Sequence, residues 1–211
     1  MADELIFYTN PMSRGQIVRW MLEEVGAPYA TRILDYGTTM KEPGYLAINP
    51  MGKVPAVVHD GKVVTECAAI CAYLAEAFPD AGLAPDAEAR ADYHRWMFFA
   101  AGPVEAAITA KHFGIEPDAT QQVSAGFGTF DQTLDALESA VAGKTFVAGD
   151  TFTAADVYVG SQIDWGLQFG TIPSRPAFEA YAAGLRERDG YKRAKAIDNA
   201  LIAEMQAANP A

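Results

Sequence analysis

Residues 79 to 86, Pro-Asp-Ala-Gly-Leu-Ala-Pro-Asp, divide the chain into two unlike parts. Prolines and a glycine crowded into so short a stretch break any regular element, as a linker requires. Before this break, short apolar runs alternate with helical patterns; after it, every periodic segment has the helical repeat. The reading is therefore a sheet-bearing domain over 1–79, a linker over 80–86, and an all-helical domain over 87–211.

The first part opens on Glu-Leu-Ile-Phe-Tyr (4–8), a buried-strand pattern that stops at Thr9, Asn10 and Pro11. Ile17, Val18, Met21, Leu22 and Val25 then recur at helical spacing, with Ser13 placed to cap the helix and Gly26 to stop it. Tyr29 to Leu34 supplies a second strand, parallel to the first if the crossover is right-handed. Asn49 to Val58 begins as a turn and ends as an apolar run, with Pro55, which cannot donate to a ladder, at the strand entry. Asp60-Gly61 predicts a hairpin between Ala56–Val58 and Val63–Val64, and Thr65-Glu66-Cys67 opens another helix. The order strand, helix, strand, helix, strand, strand, helix is thioredoxin-like.

In the second part, helical periods run over 87–113, 119–142, 154–169, 176–188 and 190–207. The run Phe152-Thr153-Ala154-Ala155-Asp156-Val157 predicts a capping box between Thr153 and Asp156 and a staple of Phe152 on Val157, both folding determinants.

A formal net charge of -11 argues against nucleic acid or an anionic membrane as partner, since phosphate binding needs clustered Lys and Arg. Before Pro79 the balance is milder, with 6 basic and 9 acidic residues, as an anionic ligand there requires. Cys67 and Cys71 make no disulfide framework, and with His59, His94 and His112 they do not form zinc spacing, so no metal is expected. No apolar stretch approaches the roughly 20 residues of a membrane span, and the first residues lack a secretory pattern, so a cytoplasmic location is expected.

With these residues located, the chain resembles the cytosolic glutathione S-transferases, of bacterial type, over essentially its whole length. Asn49-Pro50-Met51-Gly52-Lys53-Val54-Pro55 is similar to the family's cis-proline loop, and Thr65-Glu66-Cys67 to its Glu-Ser motif. The linker and the Thr153–Asp156 box also lie where the family has them. The resemblance implies an α/β thioredoxin-like N-terminal domain plus an all-α C-terminal helical domain. It implies glutathione as co-substrate, a small-molecule electrophile as partner, a homodimer and a role in detoxification.

The resemblance also implies roles for residues. The Val54 backbone, freed by Pro55, pairs with the cysteinyl unit of glutathione like a short added strand. Glu66 meets the γ-glutamyl ammonium, and the start of the helix receives its carboxylate. Cys67 departs from the usual Ser, and its thiol is a weaker donor. Lys41 and Lys53 are candidates for the glycyl carboxylate. The electrophile site is expected between the first domain's loops and the long helix of the second, with Met12, Tyr93, Trp96, Phe99 and Phe113 as its apolar lining.

The chemistry implied is attack by the glutathione thiolate. Lowering a thiol pKa from about 8.5 by about 2 units takes about 2.7 kcal/mol. A helix dipole supplies about 0.3 to 1 kcal/mol, so a donor is needed, and a charge-assisted hydrogen bond is worth about 1.5 to 3 kcal/mol. Ser13, Tyr8 and Arg14 are the candidates. Ser13 comes slightly first because a hydroxyl at a helix start joins donor and dipole; Tyr8 stands nearly level. Beside conjugation stand a glutathione-dependent isomerase, a peroxidase or thiol transferase, and a non-catalytic glutathione-binding module of the same fold.

Overall fold

The structure, a computed structural model, describes residues 4–208. By packing the chain divides into two units, one of residues up to Leu83 together with those from Arg188 onward, the other of 84–187.

The first unit is built on a four-stranded sheet of order β2-β1-β3-β4. Strand β1 (Leu5–Thr9) leads to α1 (Gly15–Val25), β2 (Ala30–Ile33), a short helix α2 (Pro43–Leu46), β3 (Ala56–His59), β4 (Lys62–Thr65) and α3 (Cys67–Ala77). β1 and β2 are parallel; β1 with β3, and β3 with β4, are antiparallel. This is the predicted order, including the turn at Asp60-Gly61, where both residues have positive φ as a tight hairpin demands. Alternation along β1 sends Leu5, Phe7 and Thr9 to one face, buried with Ile17, Val18, Met21 and Leu22 of α1 and Ile70 and Leu74 of α3. Each of the apolar side chains among these contributes about 1.5–3 kcal/mol by leaving water. The other face carries a smaller cluster of Met40, Tyr45 and Ala56, on which Tyr8 and Val54 pack. Gly26 ends α1 in the left-handed conformation, its N–H bonded to the Leu22 carbonyl at 2.9 Å.

The last helix, α9 (Asp189–Ala208, numbered after those of the second unit), also belongs here by packing, although the sequence reading assigns 87–211 to the helical domain. It lies along α1 and is held by matched charges. Arg188 grips Glu24 with two nitrogens at 2.9 and 2.8 Å, Arg193 reaches Glu23 at 3.1 Å, and Arg19 meets Asp198 at 3.1 Å with both side chains buried. Trp20 and Tyr191 meet edge to face between them.

The second unit contains α4 (Arg90–Phe99), α5 (Glu105–His112), α6 (Phe130–Val141), α7 (Ala154–Phe169) and α8 (Pro176–Arg186). Its centre is α7, buried continuously from Ala154 to Asp164. Asp156 there accepts from the backbone N–H of Val147 at 2.7 Å and of Thr153 at 2.8 Å, and from the hydroxyls of Tyr181 at 2.7 Å and Thr153 at 3.1 Å. The capping box is thus formed as read, while Phe152 rests edge-on against Phe146.

Two predicted helices differ in detail. The 87–113 run is broken by a π turn, Ala100–Val104, around Pro103, which has no N–H to give the preceding turn. The 119–142 run yields only a 3-10 turn, Gln121–Val123, before α6 begins at Phe130. Gly128 takes a left-handed φ of 62°, and Thr129 and Gln132 form their own reciprocal cap, each bond 3.1 Å, so the helix starts there.

Candidate active site

One register brings together the sequence segments singled out above. Ala56 pairs with Tyr8 on one side and with Thr65 on the other. The loop after β1, the Val54-Pro55 bend before β3 and the Glu66-Cys67 turn after β4 therefore emerge at one end of the sheet. Cys67 confirms the closeness of two of them, its Sγ lying 3.5 Å from the Arg14 carbonyl.

Asn10 organises the β1–α1 loop. Fully buried, it donates from Nδ2 to the Leu34 carbonyl at 2.8 Å and accepts the Met12 N–H on Oδ1 at 3.0 Å, tying the loop to the end of β2. Its own carbonyl takes the Ser13 hydroxyl at 2.6 Å, and the Ser13 Oγ in turn accepts the Gly15 N–H at 2.9 Å. Ser13 is buried with its one proton engaged, but the N-cap position expected for it falls on Arg14, which makes no side-chain capping bond; Ser13 stands one residue earlier and accepts the first N–H of the helix. Gly15 is required by this approach: a Cβ there would lie 1.9 Å from Thr9 Oγ1. Arg14 is exposed beside it, as is Met12, 53% exposed. Tyr8 is half-buried on the opposite face from Phe7, its ring 5.6 Å from that of Tyr45, and its hydroxyl makes no hydrogen bond among the described residues.

Before β3 the Val54-Pro55 bond is cis. The preceding carbonyl, of Lys53, is held by Tyr45 Oη at 2.5 Å and by Asn49 Nδ2 at 2.8 Å. Burial pushes the Tyr45 phenol up to about 12, with Tyr8 adding to the rise against the Asn49 bond, so it stays a donor at any working pH. The Val54 N–H and C=O have no partner among the described residues. Lys41 is folded onto the same loop, its Nζ donating to the carbonyls of Met51 at 3.1 Å and Gly52 at 3.0 Å; the Lys53 side chain is exposed.

After β4, Glu66 holds a left-handed φ of 67°. A non-glycine there costs of order 1–3 kcal/mol, a strain concentrated at binding sites. Glu66 is exposed and starts α3, whose first N–H groups point at the same sheet end. Cys67 is buried behind it, and Cys71, fully buried, has its thiol pushed up by desolvation and then by Cys67.

The apolar set named for the second unit does not gather. Tyr93 and Trp96 are buried, Trp96 edge-on to Phe99 at 5.7 Å, whereas Phe113 is 68% exposed beyond the end of α5. At about 1.5 Å per residue, the helical run separates Trp96 and Phe113 by about 25 Å. What that end of the unit offers is a cavity of about 220 Å³ lined by Ala107, Lys111, Ile115, Phe127 and Phe130, and another of about 360 Å³ sharing Lys111 and Phe130. Of this lining, Phe127 and Phe130 fall where 119–142 reads as one continuous helix; the glycines at 126 and 128 are the signal against that reading. Among the described residues there is no cluster of His, Cys, Asp and Glu able to hold a metal ion, and no helix long and apolar enough to cross a membrane.

Comparison with known proteins identifies the family and the fold. The family model for the glutathione S-transferase N-terminal domain matches residues 12–77, and that for the C-terminal domain matches 120–165. The chain belongs to the glutathione S-transferase family. Among solved glutathione S-transferase structures, that of a Methylococcus capsulatus glutathione transferase superposes with a TM-score of 0.75 at 26% identity, covering 92% of this chain and 98% of that one. A Sulfitobacter glutathione transferase homologue with bound glutathione has a TM-score of 0.71, also at 26% identity, over 92% and 98% of the two chains. Glutathione S-transferase GST-4.5 of Xanthomonas campestris is 37% identical over 98 residues, 44% of this chain and 46% of that protein. The chain thus spans under half the length of the curated relatives that it matches first.

Proposed function

We propose that this protein is a glutathione transferase that binds glutathione at the end of the sheet in the first unit and holds its sulfur as a thiolate. The observation that carries the reading is the register of Ala56 between Tyr8 and Thr65, which gathers the β1–α1 loop, the Val54 backbone and the start of α3. Val54 offers an N–H and a carbonyl to an extended peptide, α3 offers its N-terminal N–H groups to a carboxylate, and Glu66 offers a carboxylate to an ammonium. Those are the three polar features of the γ-glutamyl and cysteinyl parts of the tripeptide. Lys53, with its side chain free of the loop, suits the glycyl carboxylate better than Lys41, whose ammonium already serves two carbonyls.

Tyr8 is the preferred donor to the sulfur. Ser13 would have to release the Asn10 carbonyl first, giving up about 1 kcal/mol, whereas the Tyr8 hydroxyl loses no protein partner. Ser13 then serves by fixing the loop, with Arg14 adding positive charge beside it. Once the thiol proton has gone to solvent, the sulfur lone pair forms the new bond to the electrophilic carbon and the leaving group departs with its bonding pair. A small apolar electrophile suits Met12, the exposed apolar side chain on this loop. The homodimer, the cytoplasmic setting and the detoxifying role belong to this proposal and rest on family membership.

Calorimetry with glutathione, followed by conjugation of an activated aryl halide, tests the reading. Binding with turnover is expected, with Tyr8→Phe lowering the rate about tenfold or more and Ser13→Ala less. The reverse order returns the donor to Ser13; binding without turnover makes this a binding module; no binding overturns the proposal.

A further inference from the structure

The β1–α1 loop is held from outside as well as by Asn10. Gln16, on the first turn of α1, donates from Nε2 to the Pro11 carbonyl at 2.6 Å. Its Oε1 accepts from Lys195 Nζ at 2.9 Å, a residue 179 positions away on α9. Only one orientation of the amide satisfies both neighbours, because a carbonyl cannot receive from a carbonyl and an ammonium cannot donate to an NH2. The direction of this chain of bonds is therefore fixed, from the Lys195 cation through the Gln16 amide to the backbone just before Met12 and Ser13.

The link is placed to carry an effect. A cation on the amide oxygen polarises the amide, and polarised donors bind more strongly, by roughly 10–30% per bond in condensed phase. Lys195 is itself constrained: half-buried, its Nζ is 5.5 Å from the Tyr191 ring, and it exerts a field on Asp198. The other described ties between α9 and α1, at Arg19, Glu23 and Glu24, lie further along α1 than Gln16 and end on side chains or backbone outside the Pro11–Ser13 loop. Of the ties described, the one through Gln16 ends on a backbone atom of the loop.

We propose that Gln16 and Lys195 are positioning residues, through which the last helix sets the conformation of the Pro11–Ser13 loop and so the alignment of the groups that stabilise the thiolate. The loop's part in thiolate stabilisation rests on the transferase reading; the tether itself does not.

The test pairs a structural readout with a kinetic one on Gln16→Met, Lys195→Met, Lys195→Arg and, as a control, Arg193→Met, which cuts an ion pair of the same two helices away from the loop. Amide hydrogen exchange should quicken over Met12 to Gly15 in Gln16→Met and Lys195→Met, and should stay at the wild-type rate there in Arg193→Met and Lys195→Arg. In turnover, Gln16→Met and Lys195→Met should lower kcat/KM for glutathione about fivefold below neutral pH, the fold-change of one neutral hydrogen bond. They should also move the thiolate limb of the pH profile upward and leave KM for the electrophile unchanged, whereas Lys195→Arg, which keeps the cation, should behave as the wild type. Unchanged exchange at the loop in Lys195→Met overturns the tether, whatever the activity. Quickened exchange with an unmoved pH profile overturns its catalytic part. If the wild type binds no glutathione, the transferase reading and the catalytic part fall together, while the exchange data still decide the tether.

Discussion

Each unit buries an aspartate, and the two are stabilised by opposite means. Asp156, in the second unit, is surrounded by neutral donors: two backbone N–H groups and two hydroxyls take up both oxygens. Asp198, in the first, faces a full charge, Arg19, and the match is incomplete, since Asp198 Oδ2 and Arg19 Nη2 are both buried without a hydrogen bond. In both, burial dominates and raises the carboxyl pKa against the bonds that lower it. The first arrangement is local, with two of its four donor groups on Thr153; the second spans 179 residues. Dipoles suffice where a helix start provides them in sequence. Where a distant helix must be recruited, a charge pair does it at greater desolvation cost and with less complete satisfaction.

The contrast can be broken most forcefully at Asp198. Replacing it by Ala strands the Arg19 guanidinium in the core beside Phe7 and Tyr29, and a loss of about 3–5 kcal/mol is expected in denaturant unfolding. The double replacement Arg19→Met with Asp198→Leu should recover most of that loss, because no unpaired charge is left; failure to recover would mean that the pair contributes directly to stability.

Asp156→Ala comes next. It leaves two backbone N–H groups and the hydroxyls of Tyr181 and Thr153 without this acceptor, and the expected loss is about 3 kcal/mol, given about 1–3 kcal/mol per buried group and incomplete additivity. The Tyr181 hydroxyl, which burial and then the Asp156 charge push well up, stays protonated and cannot escape by ionising. A loss below about 1 kcal/mol would show that water replaces the carboxylate and that the two aspartates differ less than their surroundings suggest.

The smallest effect is in pH dependence. Because the folded carboxyl of Asp156 titrates above its ordinary value, the fold binds more protons than the unfolded chain between those two values. The contribution of this group to stability therefore falls as pH rises through that interval and is flat above it. Compared with Asp156→Asn, in which the Asp198 and Arg19 titrations are retained, the wild type should gain ground on acidification from neutral pH through that interval. A gap that narrows instead would mean that the hydrogen bonds outweigh desolvation.

Much of this was legible in the sequence because it is local. The strand-helix-strand start, the hairpin at Asp60-Gly61 and the box from Thr153 to Asp156 each depend on residues within a few positions of one another, and the chain signals them with glycine, proline, capping and periodicity. Val54, Pro55 and Glu66 also lie in short local motifs, and the roles proposed for them come from the family resemblance those motifs carry. What the sequence concealed is what the fold brings from afar. Nothing near Gln16 announces Lys195, nothing near Arg19 announces Asp198, and Asn10 reads as an ordinary turn residue until Leu34 is beside it. The start of α6 was misread because alanines and valines continue the helical period across glycines that in fact end it. The aromatic residues of α4 kept the right spacing, yet spacing alone does not separate a core stripe from a lining.

The grip of Tyr45 and Asn49 on the Lys53 carbonyl has a consequence one atom further along. That carbonyl and the N–H of Val54 belong to a single rigid plane and, across a trans bond, point in opposite directions. Clamping the oxygen inward from two sides aims the hydrogen outward before any guest arrives. An incoming peptide then meets a donor already oriented, and the entropy of fixing it was spent when the protein folded.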